Sequence, residues 1–148
     1  MDAVSRESDG AGNGRPTLLI ADDDPVVQSM LSMGLEGRFE IVAVADDAEY
    51  AVATAAAVRP DAAVVDVDMP GGGGARAVRG IAEVSPHTAM VVLSGDESDG
   101  VVRDLLQAGA MTYCRKGIAA HDLARTLEHS IEAMRQQAAT GSRGPSDH

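Results

Sequence analysis

The chain has 148 residues, 45% of them apolar, and a formal net charge of −11, which suits one domain with a real core. That acidity argues against unaided binding to DNA or RNA, whose affinity rests on neutralising phosphates with Lys and Arg, and it is compatible with a site that holds a cation. A single cysteine, Cys114, excludes an internal disulfide and fits a reducing compartment; with neither a membrane-length apolar run nor a signal-peptide core, the expectation is a soluble cytoplasmic protein.

Residues 1–15 are polar and Gly-rich and read as a disordered N-terminal tail. Thr17–Ala21 is a continuous apolar run, the pattern of a strand buried on both faces, and it ends in Asp22, Asp23 and Asp24. Pro25 suits the first position of a helix, with Asp24 as its cap. Val26, Val27, Met30, Leu31 and Leu35 recur there at helical spacing, up to a stop near Gly37. Residues 39–45 read as a second strand. Asp46 or Asp47 caps an Ala-rich helix over 48–58, which Pro60 terminates.

The apolar residues 62–65 run straight into Asp66, then Asp68 and Pro70. A strand covered on both faces tolerates a charge only at its end, and in open α/β sheets that end is where ligands bind; the plain alternative is an Asp that starts a turn. Residues 71–74, all glycine, read as a loop with little conformational restraint. Residues 75–84 read as a helix weakened at Gly80 by about 1 kcal/mol relative to Ala, and helix and loop are expected to be mobile. Residues 89–93 form a buried strand ending in Ser94 and Gly95. An acidic loop over 96–100 leads to a helix with Val101, Val102, Leu105 and Leu106 on one face, ending at Gly109. Residues 111–115 are the last strand, ending in Lys116 and Gly117. The final helix, about 119–137, puts Leu123, Leu127, Ile131 and Met134 on one stripe; the methionines at helical spacing read as core, and residues 138–148 as a C-terminal tail or truncated linker.

Five strands alternating with five helices imply βαβ units with right-handed crossovers: an α/β fold, a doubly wound five-stranded parallel sheet with helices on both faces. The C-terminal ends of its strands lie along one edge. There strand 1 delivers Asp22 and Asp23, strand 3 Asp66, strand 4 Ser94 and strand 5 Lys116. Two like charges about 4 Å apart repel by about 4 kcal/mol at an effective dielectric of 20, so either carboxylate pKa values rise or a cation joins them. Hard oxygen ligands suit Mg²⁺. Lys116 offers a point charge to an incoming phosphoryl group and Ser94 a hydrogen bond. The remaining carboxylate could act as nucleophile, making an aspartyl phosphate, with catalysis by positioning and charge neutralisation.

On these residues the sequence resembles the receiver domain of a bacterial two-component response regulator, over about residues 16–135, with domain bounds placed at 16–137. The matching motifs are Ile20-Ala21-Asp22-Asp23-Asp24-Pro25, Pro60-Asp61, Asp66-Val67-Asp68-Met69-Pro70-Gly71, Val92-Leu93-Ser94-Gly95 and Gly109-Ala110-Met111-Thr112-Tyr113-Cys114-Arg115-Lys116. The resemblance, not the alternation of elements, supplies the flavodoxin-like strand order 2-1-3-4-5. It implies that Asp66 is the phosphoacceptor. Asp23 would be the direct carboxylate for Mg²⁺ or Mn²⁺, Asp22 a neighbour acting mostly through water, and Asp68 the source of a backbone carbonyl. Ser94 and Lys116 match the phosphoryl-sensing hydroxyl and the phosphoryl-binding amine, and Tyr113 the switch aromatic.

The resemblance further implies a phosphoryl group taken from a histidine kinase or histidine phosphotransfer protein. It implies an unidentified downstream protein controlled through the face of helix 4, strand 5 and helix 5, which is also open to homodimerisation. It implies chemistry confined to the chain's own phosphorylation and dephosphorylation, while the net charge and the lack of a long apolar run give the expectation of no direct nucleic-acid binding by this chain and no membrane. Two departures stand out. Gly117 replaces the proline common after the lysine, and the four-glycine loop is plainer than usual. Asp68 and Asp96 flank the site and are expected to influence how fast water removes the phosphoryl group.

A second reading is an enzyme: Asp66-Val67-Asp68 also resembles the Asp-x-Asp of haloacid-dehalogenase-type phosphatases, although those usually carry it on the first strand of a longer chain with a cap. A third is a receiver-shaped binding module that is never phosphorylated, against which the complete residue set argues. The plain readings of the other polar residues are caps for Asp24, Asp46 and Asp47, a buried small apolar residue for Cys114, and solvated surface for Arg103, Arg115 and Arg125. His87, His121, His129 and His148 are given no role, and residues 71–74 lack the Gly-Lys-Ser/Thr of a phosphate loop.

Overall fold

The structure, a computed structural model, describes residues 14–95 and 99–141. The expected tail over 1–13, residues 96–98 of the acidic loop and residues 142–148 lie outside the described residues. Five strands alternate with five helices: β1 Thr17–Ala21, α1 Pro25–Leu35, β2 Glu40–Ala45, α2 Ala48–Val58, β3 Ala62–Asp66, α3 Gly73–Val84, β4 Ala89–Ser94, α4 Asp99–Ala108, β5 Thr112–Arg115 and α5 Ala120–Gly141. The strands form one sheet in the order β2-β1-β3-β4-β5, all pairs parallel. Parallel neighbours cannot be joined by hairpins, which is why a helix crosses over between each pair.

The period of two along β1 divides the core. Leu18 and Ile20 face one side with Leu35, Phe39, Leu123 and Leu127, under α1 and α5. Leu19 and Ala21 face the other with Ala51, Ala55, Ala77 and Ile81, under α2 and α3. Both layers are dry at β3, whose five residues are all buried, Asp66 included. Each fully buried Leu or Ile contributes about 1.5–3 kcal/mol by leaving water.

Caps hold the helix starts. The Asp24 side chain accepts from the Val26 amide at 2.9 Å and the Asp47 side chain from the Tyr50 amide at 2.8 Å, so Asp47 and not Asp46 caps α2. Asp61 Oδ2 accepts from the Thr17 amide and hydroxyl at 2.8 and 3.1 Å, stapling the starts of β1 and β3. Arg38 forks onto Glu128 at 2.6 and 3.1 Å, tying the α1–β2 turn to α5.

Several expectations need correction. Residues 71–74 are not a free loop: Pro70–Gly72 makes one 3₁₀ turn and α3 already begins at Gly73, with Gly73 and Gly74 buried. Gly71 and Gly72 take φ of 68° and 69°, a left-handed path that only glycine follows without strain, and it reverses the chain into the helix. The α1 stripe is narrower than its spacing suggests. Only its Leu31 and Leu35 side packs on the α5 layer, while Val26, Met30 (67% exposed) and Met33 (75% exposed) face outward, so these methionines are not core. On α4, Val102 and Leu105 are buried but Val101 and Leu106 are exposed, because the helix packs chiefly against α3 along one side. Phe39 precedes β2 as a buried plug, its amide bonded to the Leu35 carbonyl, and Met111 precedes β5. The last helix continues to Gly141, since Ala138 and Ala139 are good helix formers. Arg15, expected in the tail, hydrogen-bonds the carbonyls of Glu36 and Phe39.

Candidate functional site

The chain leaves β1 at Asp22, whose amide donates to the Ala45 carbonyl at 2.9 Å and so keeps the residue in register with β2. Asp22 is only 2% exposed. Its Oδ1 accepts from the Asp24 amide at 2.9 Å, and the Gln28 side-chain amide from the first turn of α1 donates to its carbonyl at 2.5 Å. Its Oδ2 is buried with no hydrogen-bond partner among the described residues. Burial pushes the Asp22 carboxyl above the usual carboxylate range; the charges of Asp66 and Asp23 add to that, and the Asp24 amide and Lys116 oppose it.

Asp66 ends β3 and is 3% exposed. Its Oδ1 accepts from the Asp68 amide at 3.0 Å and lies 2.8 Å from Lys116 Nζ. The same ammonium lies 3.3 Å from Asp68 Oδ2. Burial pulls the Lys116 pKa down, but hydrogen bonds and charge from Asp66 and Asp68 outweigh it, so the ammonium titrates above its ordinary value. One carboxylate oxygen each from Asp22, Asp23 and Asp66 lie within 4.8 Å of one another. Three such carboxylate oxygens, from residues that include the buried Asp22 with its unpartnered Oδ2 among the described residues, are a donor set that fits a hard divalent cation.

β4 and β5 complete the edge. Asp66 pairs in register with Leu93, and Ser94, buried, is the next residue and the end of β4. The Lys116 amide donates to the Ser94 carbonyl at 3.0 Å, fixing the lysine's backbone beside the hydroxyl-bearing residue. Gly117 then takes φ of 89°, which proline cannot adopt. Tyr113 sits on β5 opposite Val92 and is 47% exposed, on the outward side of the strand. Cys114 beside it is buried, and burial raises its thiol pKa.

Asp22, Asp23, Asp66 and Lys116 therefore meet, with Asp68 on the lysine and Ser94 at the adjoining strand end. Asp96 lies outside the described residues. Three contributors carry no signal in the motifs. Gln28 sits on a helix with no motif to mark it. The Asp68 side chain shares the Lys116 ammonium, whereas its sequence position points only to a backbone carbonyl and a flanking charge. Gly74 is buried against the Asp66–Val67 backbone; its signal was a glycine that a loop alone does not require.

A family model described as the response regulator receiver domain matches residues 18–128, and the chain belongs to that family, the phosphorelay receivers of two-component signalling. Among curated relatives, response regulator GacA of Pseudomonas aeruginosa is 34% identical over 80% of this chain and 53% of its own length. The DNA-binding transcriptional activator DevR/DosR of Mycobacterium tuberculosis is 32% identical over 75% of this chain and 52% of its own length. The chain thus spans about half the length of these relatives. Among solved structures, a response regulator receiver domain protein from Methanospirillum hungatei superposes with a TM-score of 0.77 at 21% identity, covering 84% of this chain and 99% of that one, a likeness of fold. None of these comparisons supports the phosphatase alternative. No helix among the described residues is long and apolar enough to cross a membrane.

Proposed function

We propose that this receiver, residues 16–137, stores a signal as an aspartyl phosphate on Asp66. The carboxylate of Asp66 attacks the phosphorus of a phosphohistidine presented by a histidine kinase or phosphotransfer protein. A P–O bond to Asp66 forms as the donor's P–N bond breaks, and the imidazole leaves with the electron pair. Lys116, already 2.8 Å from Asp66 Oδ1, is charged at neutral pH and pairs with a phosphoryl oxygen as charge develops there. The Ser94 hydroxyl donates to another. The buried Asp22 is held by the Asp24 amide on its Oδ1 and by the Gln28 side chain on its backbone carbonyl, and one of its carboxylate oxygens belongs to the cluster with Asp23 and Asp66. Mg²⁺ or Mn²⁺ fits the donor set and would be held by Asp23, Asp66, the Asp68 backbone carbonyl and, mostly through water, Asp22. When bound it supplies the positive charge that lets three carboxylates and a phosphoryl group share one pocket.

Phosphorylation then shifts an equilibrium between arrangements of α4, β5 and α5, with Tyr113 turning inward as Ser94 moves toward the phosphoryl group. The exposed Val101, Leu106 and Tyr113 support that face as the contact for a downstream protein or a second copy. No part of this reading uses the chain itself to bind nucleic acid or membrane, it turns over no external substrate, and it places the protein in the cytoplasm. The observation that carries it is the convergence of a buried Asp66, a lysine ion pair and two further carboxylates at one strand edge. Incubation with acetyl phosphate and Mg²⁺, read by intact mass, should add one phosphoryl group to the wild type and none to Asp66→Ala. No adduct on the wild type, or an adduct that survives the substitution, overturns the proposal.

A further inference from the structure

Gly74 is the second residue of α3 and has no room for a side chain. A β-carbon there would lie 2.4 Å from the Val67 carbonyl oxygen, 2.7 Å from the Asp66 carbonyl oxygen and 2.7 Å from Val67 Cα. All three are backbone atoms, so no rotamer change relieves the contact; either α3 withdraws or the peptide between Asp66 and Val67 moves. That peptide begins at Asp66 and leads to the Asp68 amide, which donates to Asp66 Oδ1 at 3.0 Å. The Val67 amide is itself held by the Leu93 carbonyl at 3.0 Å.

Retreat of the helix is opposed on its other side. At Gly80 a β-carbon would lie 2.4 Å from Val52 Cγ2, so α3 also rests tightly on α2. The Gly73 amide donates to the Met69 carbonyl at 3.1 Å, and the Met69 side chain is buried, which closes the turn between Asp68 and the helix.

We propose that Gly74 is a positioning residue for the phosphoacceptor: its bare Cα lets α3 bear directly on the Asp66–Val67 peptide, and this sets the direction of the Asp66 carboxylate and the Asp68 carbonyl. The metal-facing half of this inference rests on the proposed function; the backbone half does not. Gly80 provides the contrast. It is as tightly packed and on the same helix, but its neighbour is a side-chain methyl remote from the site, which Val52 can move or Val52→Ala can remove.

The test compares Gly74→Ala and Gly80→Ala in the full chain. In metal-free protein, the amide resonances of Val67 and Asp68 should shift in Gly74→Ala and stay in place in Gly80→Ala. Titration with Mg²⁺ alone, followed by the same resonances, should show affinity weakened about tenfold or more in Gly74→Ala, the scale on which groups supporting a ligand act, and unchanged in Gly80→Ala. Wild-type resonances and affinity in Gly74→Ala, or equal losses in both variants, overturn the inference. Should Gly74→Ala not fold, the wild type decides: its Gly74 amide must follow Mg²⁺ with the same midpoint as Asp68 while the Gly80 amide stays still, and a silent Gly74 overturns it. A wild type that binds no Mg²⁺ and takes no phosphoryl group sinks the proposed function, and the metal-free shifts then judge the backbone half alone.

Discussion

Replacing Asp22 by Asn separates what the acidic pocket does to stability from what it does for a cation. One carboxylate oxygen each from Asp22, Asp23 and Asp66 lie within 4.8 Å of one another, which corresponds to about 3.5 kcal/mol or more of repulsion per fully charged pair at an effective dielectric of 20. Lys116 offsets part of this, and Asp23 is exposed and screened. A net gain of about 1–2 kcal/mol is therefore expected for Asp22→Asn without metal, or about 3–8 °C in Tm for a domain of this size. The raised pKa of Asp22 gives the same sign: its contribution to stability is present below the ordinary carboxylate pKa and lost as pH rises through its higher folded value. With metal the variant's advantage narrows, because the wild type gains more from the cation. Saturation at 100 times Kd stabilises the wild type by about 2.7 kcal/mol. A tenfold loss of affinity in Asp22→Asn halves that gain, to about 1.4 kcal/mol. Thermal scans at neutral pH with and without Mg²⁺ measure both effects. A variant less stable than wild type without metal, or one whose Mg²⁺-induced shift is undiminished, would refute the reasoning.

Lys116→Ala removes a charged hydrogen bond of about 1.5–3 kcal/mol, so acetyl phosphate labelling should slow about 10- to 150-fold, measured by mass at saturating Mg²⁺; an unchanged rate contradicts the role. Asp68→Ala leaves Lys116 with Asp66 as its one carboxylate among the described residues, and the lysine then serves the phosphoryl group less divided. The adduct should outlast that of the wild type several-fold, timed after removal of the donor, roughly the effect of 1 kcal/mol. Cys114, buried with its thiol pKa raised by desolvation, should resist alkylation at pH 8 in the folded protein and react readily in denaturant. Its contribution to stability should be complete below the ordinary thiol pKa and fade as pH rises through the higher folded value.

The fold was legible because each local signal agreed with the global one. Apolar runs too short for helices ended in carboxylates, and Pro25, Asp24, Asp47 and Pro60 punctuated the helices where the structure has them. Less legible were the widths of helix faces: the α1 and α4 stripes have the right period, but how many positions touch the sheet depends on where each helix sits. The choice between Asp46 and Asp47 was likewise open until the backbone direction was known.

Chemistry written into the order of residues settled that Asp22, Asp23, Asp66, Ser94 and Lys116 stand at the C-terminal ends of β1, β3, β4 and β5, since a charge following a two-sided strand such as β1 or β3 can go only to the rim. Tertiary structure alone decided the distances: that Asp22 Oδ2 lacks a partner among the described residues, that Lys116 divides itself between Asp66 and Asp68, and that Gly74 bears on the peptide after Asp66. Those facts concern the close approach of segments remote in the chain or turned by a loop, and spacing along a sequence carries no measure of approach in space.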